Sequence, residues 1–428
     1  MKSYWIAGID VHKKMLAVVV ADISRGGEFQ WIRRQFGTTP AELHLLAQWL
    51  EQQQVEEIVM ESTAQYWRPV WGTLEQYWQP AMRKREHAPK MAGTLHLCQA
   101  QSNRARRGRK KDFRDAERLV KRLVAQELIL SFVPDPGQRL LRTITRRRFQ
   151  LTRAKVMFQN QLESLLEQAH IKLSSLVSDL LGVSARRMLK ALAEGECNPS
   201  VLAAMADRGL HATQEQLRDA LAASTQMNKH YRRLLKMALD ELQMVETHIE
   251  VLDGEAMELL RGHQEVVRRV AAVPGFGVDS AMQMIAEVGV EAANFMGPKE
   301  LSSWVGVCPG DQESAGKSQS TRSPKGNRQM RRLLNQAAQS AVKVKGSIFE
   351  ITFKRLSPRL KYKAAIWAIA HRLCRLLWLL LSKRVDYEER GAEVTAKSKR
   401  VRTSRMIREL KKLGYRIEGG PVETAAQA

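Results

Sequence analysis

Apolar residues near the start of the chain fall into short runs that are typical of β-strands. YWIAGID (4–10) and the β-branched run KMLAVVVADI (14–23) predict a hairpin, and VEEIVMEST (55–63) predicts a third strand. TPAELHLLAQWLEQ (39–52) has a Thr cap, a Pro in its first turn and helical spacing. Strands that alternate with helices predict an α/β domain, which ends at the PDPG segment.

The apolar spacing becomes helical after this point. A series of apolar positions three and four apart runs from Leu141 to Leu165, and a second runs from Tyr231 to Leu259. Such spacing on two long segments predicts a coiled-coil hairpin or a dimerising arm, while two amphipathic helices inside a globular domain stay an alternative. We therefore expect an α/β catalytic domain at 1–137, a helical coiled-coil region at 138–260, a mainly helical domain at 261–385 and a basic, flexible tail at 386–428.

Charge narrows the possible partners. The 428-residue chain carries 69 Lys and Arg against 45 Asp and Glu, a net charge of +24. Self-repulsion of this size favours a polyanionic partner, with nucleic acid first and an anionic membrane surface second. The stretch AIWAIAHRLCRLLWLLL is interrupted by His371, Arg372 and Arg375, which indicates a core helix and no membrane partner. No secretory signal is expected, and four widely spaced cysteines fit a reducing cytoplasm.

Four acidic residues are placed for metal chemistry. Asp10 and Glu61 each end a predicted strand, and Asp112 and Asp115 lie three apart with helical spacing. Four converging carboxylates would repel one another unless cations lay between them, and hard oxygen ligands suit Mg²⁺ or Mn²⁺. Two such ions can assist phosphoryl transfer. Each acid alone could equally be a solvated group at a strand end or on a helix face.

A basic run lies directly before the last acidic pair. The six basic residues of this run are Arg104, Arg106, Arg107, Arg109, Lys110 and Lys111. Basic groups beside acids suit a nuclease, because cations hold the phosphates while carboxylates hold the metal. A solvated face or a targeting tag is the alternative interpretation.

A second basic segment, VCPGDQESAGKSQSTRSPKGNRQMRRLL, leads into an amphipathic helix. Its basic residues are Lys317, Arg322, Lys325, Arg328, Arg331 and Arg332. Gly316 and Gly326 would allow close approach of a phosphate, and the helix near Asn327 offers free N–H groups to an anion. This segment is a candidate DNA-backbone cradle, although residue types alone mark none of its serines as a nucleophile and also fit a flexible polar loop.

A glycine-containing turn precedes another predicted helix. Gly275 and Gly277 in VPGFGVDSAMQ resemble a helix-hairpin-helix turn, which binds DNA phosphates without reading sequence. Helix capping by glycine is the alternative.

Three segments together resemble a known family. GIDVHK, MESTAQYW and RGRKKDFRDAERL are similar to the amino-terminal domain of DEDD-type insertion-sequence transposases of the IS110 family. The resemblance implies an RNase H-like, RuvC-like fold, in which Asp10, Glu61, Asp112 and Asp115 form the Mg²⁺-binding tetrad. Lys111 stands where many members carry Thr or Ser.

The second basic segment extends the resemblance. ESAGK followed by PKGNRQMRRLL is similar to the carboxy-terminal transposase domain of the same family, and this similarity implies that Ser314 is the recombination nucleophile. Ala315 stands where a glycine is frequent.

The resemblance implies a transposase that cleaves and exchanges DNA strands with Mg²⁺ through a serine nucleophile. It also implies double-stranded donor and target DNA, a structured noncoding guide RNA (the bridge RNA), and a dimer or tetramer with a composite active site. We expect such a protein in the prokaryotic cytoplasm at the nucleoid. The alternatives are a RuvC-like nuclease without a covalent intermediate and a non-enzymatic nucleic-acid scaffold.

Overall fold

The computed structural model describes residues 3–24, 29–78, 94–100, 103, 112–207, 209–308, 312–314, 317–320 and 323–391, with a few separate positions up to 408. By its internal contacts the chain divides into two units, Met1–Val133 and Pro134–Ala428. The last part of the predicted tail lies outside the described residues.

The first unit contains a six-stranded mixed sheet. Its strands are β1 (Trp5–Val11), β2 (Met15–Asp22), β3 (Ile32–Gly37), β4 (Val55–Glu61), β5 (Leu95–Cys98) and β6 (Leu130–Ser131), in the order β3-β2-β1-β4-β5-β6. β1 is antiparallel to β2 and parallel to β4. The predicted hairpin and third strand are therefore confirmed.

Helices cover both faces of this sheet. They are α1 (Pro40–Gln52), α2 (Trp67–Tyr77) and α3 (Asp112–Val124). The core residues of α1 and α2 pack with one set of strand side chains, and those of α3 pack with the alternate set, which includes Ile6 and Val19. Burial on both faces explains why β1 and β2 are almost continuously apolar. α1 begins at Thr39, whose side chain accepts the Glu42 N–H as predicted.

The sequence did not predict strands β3, β5 and β6. β3 lies at the sheet edge and exposes its first four residues, so its IRRQFG sequence lacks a buried apolar pattern. β5 and β6 have four and two residues, too few to show a period.

Two long helices dominate the first part of the second unit, α4 (Pro136–Gln168) and α8 (Lys229–Leu259). They are antiparallel: Arg148 Nη2 lies 3.1 Å from Asp253 Oδ2, and Lys155 Nζ lies 2.8 Å from Glu246 Oε1. The two predicted helical series face each other within one chain. Whether the pair also dimerises stays a prediction.

Three short helices pack against the end of α4 and the first half of α8. They are α5 (Val183–Glu194), α6 (Pro199–Ala204) and α7 (Gln214–Ala220). The remaining elements are α9 (Gln264–Ala271), α10 (Val278–Val288), α11 (Pro298–Val305), β7 (Gln312–Ser314), β8 (Lys317–Ser320), α12 (Arg328–Ala341) and α13 (Ile348–Ser382). The five helices among these elements share one hydrophobic core with the first turns of α4 and the end of α8.

α13 is the one helix among the described residues that is long and apolar enough to cross a membrane. However, 56% of its apolar window is buried in the protein, and Leu373, Leu377 and Leu381 belong to the core. Non-helical dihedral angles at Lys361 also divide it into two parts. This is the behaviour of a core helix, as the sequence predicted.

Candidate active site

Two strand ends bring acidic residues to one edge of the sheet. β1 and β4 are parallel with Ile9 opposite Met60, so Asp10 and Glu61 follow on neighbouring strands. Asp10 is 8% exposed. Burial raises the pKa of Asp10; His12 opposes this shift, whereas Glu61 and Asp112 add to it. The register of β1 and β4 places Asp10 and Glu61 in one neighbourhood.

A glycine allows α3 to reach this edge. A Cβ atom on Gly8 would lie 2.4 Å from the carbonyl oxygen of Ala116 and 2.8 Å from a methyl group of Val120. Only a residue without a side chain permits such a close approach of helix and strand. The first turn of α3, which carries Asp112 and Asp115, is therefore held beside the end of β1.

A histidine that was not among the predicted site residues joins two of the acids. His12 Nε2 lies 3.1 Å from Asp10 Oδ2 and 3.4 Å from Asp112 Oδ1. One ligand atom from each of the three residues lies within 4.8 Å of the other two. His12 stands in the GIDVHK segment, and its position two residues after Asp10, just past the end of β1, was the available signal.

The other two acids of the predicted tetrad have protein partners. Glu61 Oε2 accepts a hydrogen bond of 2.9 Å from Asn103 Nδ2, and Asp115 pairs with Arg118 on the same helix. Arg118 also interacts electrostatically with Glu61 and Asp10. The structure thus joins Asp10 and Asp112 through His12, while Asp115 is bound to Arg118.

This arrangement fits a hard divalent cation. Asp10 and Asp112 offer carboxylate oxygens, which Mg²⁺ prefers, and His12 offers a nitrogen beside them. Asn103 is 4% exposed, and its amide oxygen is buried without a hydrogen-bond partner. Asp10 and the amide oxygen of Asn103 are buried acceptors at this edge, and positive charge beside them would offset the cost of their burial.

The predicted nucleophile lies on a β-hairpin in the second unit. β7 pairs with β8, and Ser314 stands opposite Lys317. The side chain of Ser314 is outside the described part of the structure. The segment that was interpreted as a loop therefore contains two antiparallel strands, with a shift of register between Gln312 and Glu313.

The base of this hairpin is fixed to the helical core. A Cβ atom on Gly326 would lie 2.2 Å from the Val305 carbonyl oxygen, so the close approach that Gly326 allows is to the end of α11. Arg331 donates to the Gly306 carbonyl, to the Pro324 carbonyl at 2.8 Å and to Ser323 Oγ at 3.0 Å. Its guanidinium carbon also lies 4.6 Å from the centre of the Trp367 ring.

The cap of α12 continues this anchoring. Asn327 caps the helix by accepting the N–H groups of Gln329 and Met330, and its side-chain amide donates to Glu287 Oε2 at 2.8 Å. Glu287 is 2% exposed and is paired with Arg146 of α4. An ion pair with a buried carboxylate therefore supports the helix that directly follows the hairpin.

Comparison with known proteins matches both regions. Residues 7–171 match the profile of the DEDD domain of IS110 elements, a family described as "Transposase", and residues 267–352 match the "Transposase IS116/IS110/IS902 family". The chain belongs to the IS110 family of transposases. It is accordingly a DNA-cleaving and rejoining enzyme.

One curated relative of this transposase is a "Probable family 20 transposase" of Pseudomonas aeruginosa strain PAO1. It is 25% identical over 288 residues, which are 66% of this chain and 75% of the relative. The first profile match spans Asp10, Glu61, Asp112 and Asp115, and the second spans Ser314.

The predicted nucleic-acid contacts of the transposase fall into three groups. Arg104, Arg106, Arg107, Arg109, Lys110, Lys111, Arg322 and the side chain of Lys317 lie outside the described residues. Lys325 and Arg328 are exposed beside the start of α12. Arg331 contacts the hairpin base, and Arg332 donates to Gln283 Oε1 at 2.7 Å, so these two side chains have partners inside the protein.

The predicted helix-hairpin-helix turn is held by α12. A Cβ atom on Gly275, which has φ +88°, would lie 2.2 Å from the Ala337 carbonyl oxygen, so Gly275 serves helix packing. Gly277 precedes α10 and has open space where a side chain would be. DNA contact at Gly275 and Gly277 stays a prediction.

Proposed function

We propose that this transposase cleaves and exchanges DNA strands with Mg²⁺, or with Mn²⁺ in its place, held by Asp10, Glu61, Asp112 and Asp115, and with Ser314 as the nucleophile. The supporting observation is the joining of buried Asp10 to Asp112 through His12 at the sheet edge. Bound divalent ions would supply charge neutralisation at the reacting phosphate.

The covalent step conserves the energy of the phosphodiester bond. The Ser314 hydroxyl oxygen bonds to phosphorus, the bond between phosphorus and the departing strand oxygen breaks, and the serine proton passes in net terms to that oxygen, so a phosphoserine and a free strand hydroxyl form. The hydroxyl of another strand then attacks this phosphorus and restores the serine, without consumption of ATP. In this scheme His12 orients the two aspartates, and Arg331 fixes the base of the hairpin.

Donor and target duplex DNA are the proposed substrates, guided by a structured noncoding bridge RNA. The net charge of +24 suits a protein that holds several nucleic-acid strands. In RNA-guided recognition the protein contacts the shape and the backbone of the nucleic acid, while base pairing between RNA and DNA recognises the sequence. RNA guidance is supported by the family resemblance. The proposed place of action is the nucleoid in the cytoplasm.

A homo-oligomer, a dimer or tetramer with a site completed in trans, is part of the proposal. Met237, Met244 and Val251 lie seven residues apart on α8 and are 53%, 53% and 55% exposed. Seven-residue apolar spacing on an exposed helix face is typical of an intermolecular helical contact. Met244→Glu should lower the oligomer mass measured by light scattering, whereas Glu250→Gln on the same helix should leave it unchanged.

The function is tested with the two DNA ends of the element, its flanking noncoding transcript and Mg²⁺. We expect joined products and a protein–DNA adduct from the parent protein, and neither from Ser314→Ala. Asp10→Asn should also lose recombination while it keeps DNA binding, and chelation of the metal should do the same.

The alternatives give different results in this experiment. A RuvC-like nuclease without a covalent step would still cleave DNA after Ser314→Ala. A nucleic-acid scaffold would keep all function after Asp10→Asn. If products form equally well without the transcript, only the RNA-guidance part of the proposal is contradicted.

A further inference from the structure

The two halves of α13 are folded towards each other at a sharp kink. The Phe353 and Tyr362 rings lie 5.6 Å apart in an edge-on contact, although they are nine residues apart in sequence. A straight helix would separate these residues by about 13.5 Å along its axis. Pro358 and the non-helical Lys361 explain the kink, because proline removes a helical hydrogen bond.

The backbone at the kink is strained. Lys361 has φ 62° and ψ 163°, a conformation that side-chain-bearing residues rarely adopt. Burial of the second half of the helix holds this conformation in place, because Ile366, Ile369 and Leu373 belong to the core. Strained residues that the surrounding fold holds in place cluster at functional sites.

Basic residues collect on the exposed side of the kinked helix. Arg355, Arg359, Lys361, Lys363, Arg372 and Arg375, which we call the α13 basic face, are all exposed. Within the described residues none of them has an ion-pair partner, whereas neighbouring Lys354 lies 2.8 Å from Glu350. The face is therefore an uncompensated cluster of positive charge.

The kink brings charges from both halves of the helix together. Partial burial lowers the pKa of Arg372, and Arg355 and Arg375 lower it further. On a straight helix Arg355 and Arg372 would be about 25 Å apart, too far for a strong interaction in water. The protein thus maintains like-charge repulsion that a bound polyanion would relieve.

We infer that the α13 basic face binds the phosphate backbone of duplex DNA, through other residues than those of the β7–β8 hairpin that carries Ser314 (the serine hairpin) and of the basic run before α3. Four of its six residues are arginines, whose planar guanidinium groups match phosphate oxygens in pairs. The second half of the helix is buried on the side opposite Arg372 and Arg375, so these two arginines are presented rigidly. Duplex DNA is the favoured occupant because the enzyme acts on DNA.

The test measures binding without divalent metal, so it does not depend on the tetrad or on Ser314. A fluorescein-labelled duplex of arbitrary sequence is titrated with the full-length protein over a range of NaCl concentrations. The variant Arg355→Gln/Arg372→Gln/Arg375→Gln is compared with a matched control, Arg187→Gln/Arg261→Gln/Arg268→Gln. The control removes three exposed arginines that each have an acidic partner.

Loss of three phosphate contacts should reduce the slope of log affinity against log salt by about 2.7, since each duplex contact contributes ~0.9. The control should keep the parent slope, and both variants should keep the parent melting temperature. A second variant, Lys361→Gly, tolerates the kink conformation and removes one charge, so its slope should fall by about 0.9.

Three results would overturn the inference. The first is a parent slope retained by the folded α13 variant, and the second is an equal loss in the control. The third is a loss confined to a parallel titration with the noncoding transcript, which would assign the face to RNA. If the triple variant melts below the parent temperature, Lys361→Gly takes its place. A parent slope retained by Lys361→Gly would overturn the inference in the same way.

Discussion

Glu287 and Arg146 form a two-point ion pair in the second unit, with Arg146 Nε 2.7 Å from Glu287 Oε1 and Nη2 2.8 Å from Oε2. Burial opposes ionisation of Glu287, but Arg146 and Asn327 keep its pKa below the usual range. The pair connects α4 and α10 to the cap of α12, which follows the serine hairpin. It is a structural link between the long helical pair and the segment that carries Ser314.

Loss of the Glu287 charge should destabilise this link strongly. Glu287→Gln leaves the half-buried Arg146 without its counter-ion, and we expect the free energy of unfolding to fall by about 1.5–3 kcal/mol, since water still reaches the Arg146 guanidinium. Glu258→Gln is the control, because Glu258 and its partner Arg261 are both exposed, and it should cost less than about 1 kcal/mol. Chemical denaturation measures both, and equal losses would contradict the assigned role.

Gly8→Ala should displace α3 from the sheet. The added methyl group would overlap the Ala116 carbonyl, and overpacking of this kind costs about 1–3 kcal/mol. Because α3 carries Asp112 and Asp115, DNA cleavage should fall as well. Gly72→Ala in α2 has open space around the new methyl group and should melt at or above the parent temperature. Wild-type cleavage by Gly8→Ala would refute the prediction.

Removal of His12 should weaken metal use. Groups that orient metal ligands typically contribute 10–100-fold to metal affinity, so His12→Asn should raise the Mg²⁺ concentration for half-maximal cleavage by about tenfold or more. His211→Asn, at an exposed position in the second unit, is the matched control. DNA cleavage is measured as a function of Mg²⁺ concentration. Identical midpoints for His12→Asn and the parent protein would exclude a role of His12 in metal binding.

Glu246 should make the helical pair acid-sensitive. Arg186 and Lys155 lower the pKa of Glu246 from 4.5 to about 2 in the folded protein. Its stabilising contribution is therefore present above about pH 4.5 and is lost as the pH falls towards 2. Glu246→Gln should lower stability by about 1 kcal/mol at pH 7, a value reduced by solvent screening, and the difference from parent should shrink below pH 4. Thermal melts from pH 7 to pH 3 test this, and a pH-independent difference would contradict it.

Features set by local sequence were predictable in this chain, whereas those set by distant contacts were not. Thr39 and Pro40 mark the start of α1, and the spacing of Asp112 and Asp115 placed them on one helix. His12 and Asn103 acquire their roles from neighbours on other elements, and no sequence period records such contacts. The role of Ser314 came from resemblance, because its hairpin contains several similar serines.

The two ends of the β7–β8 hairpin meet where Gly326 touches Val305 and Arg331 holds the Pro324 carbonyl. A segment whose two flanks meet can change in length at little cost in entropy, since loop closure depends only weakly on length. Insertions or deletions between Val305 and Gly326 would therefore leave the arrangement of α11 and α12 unchanged.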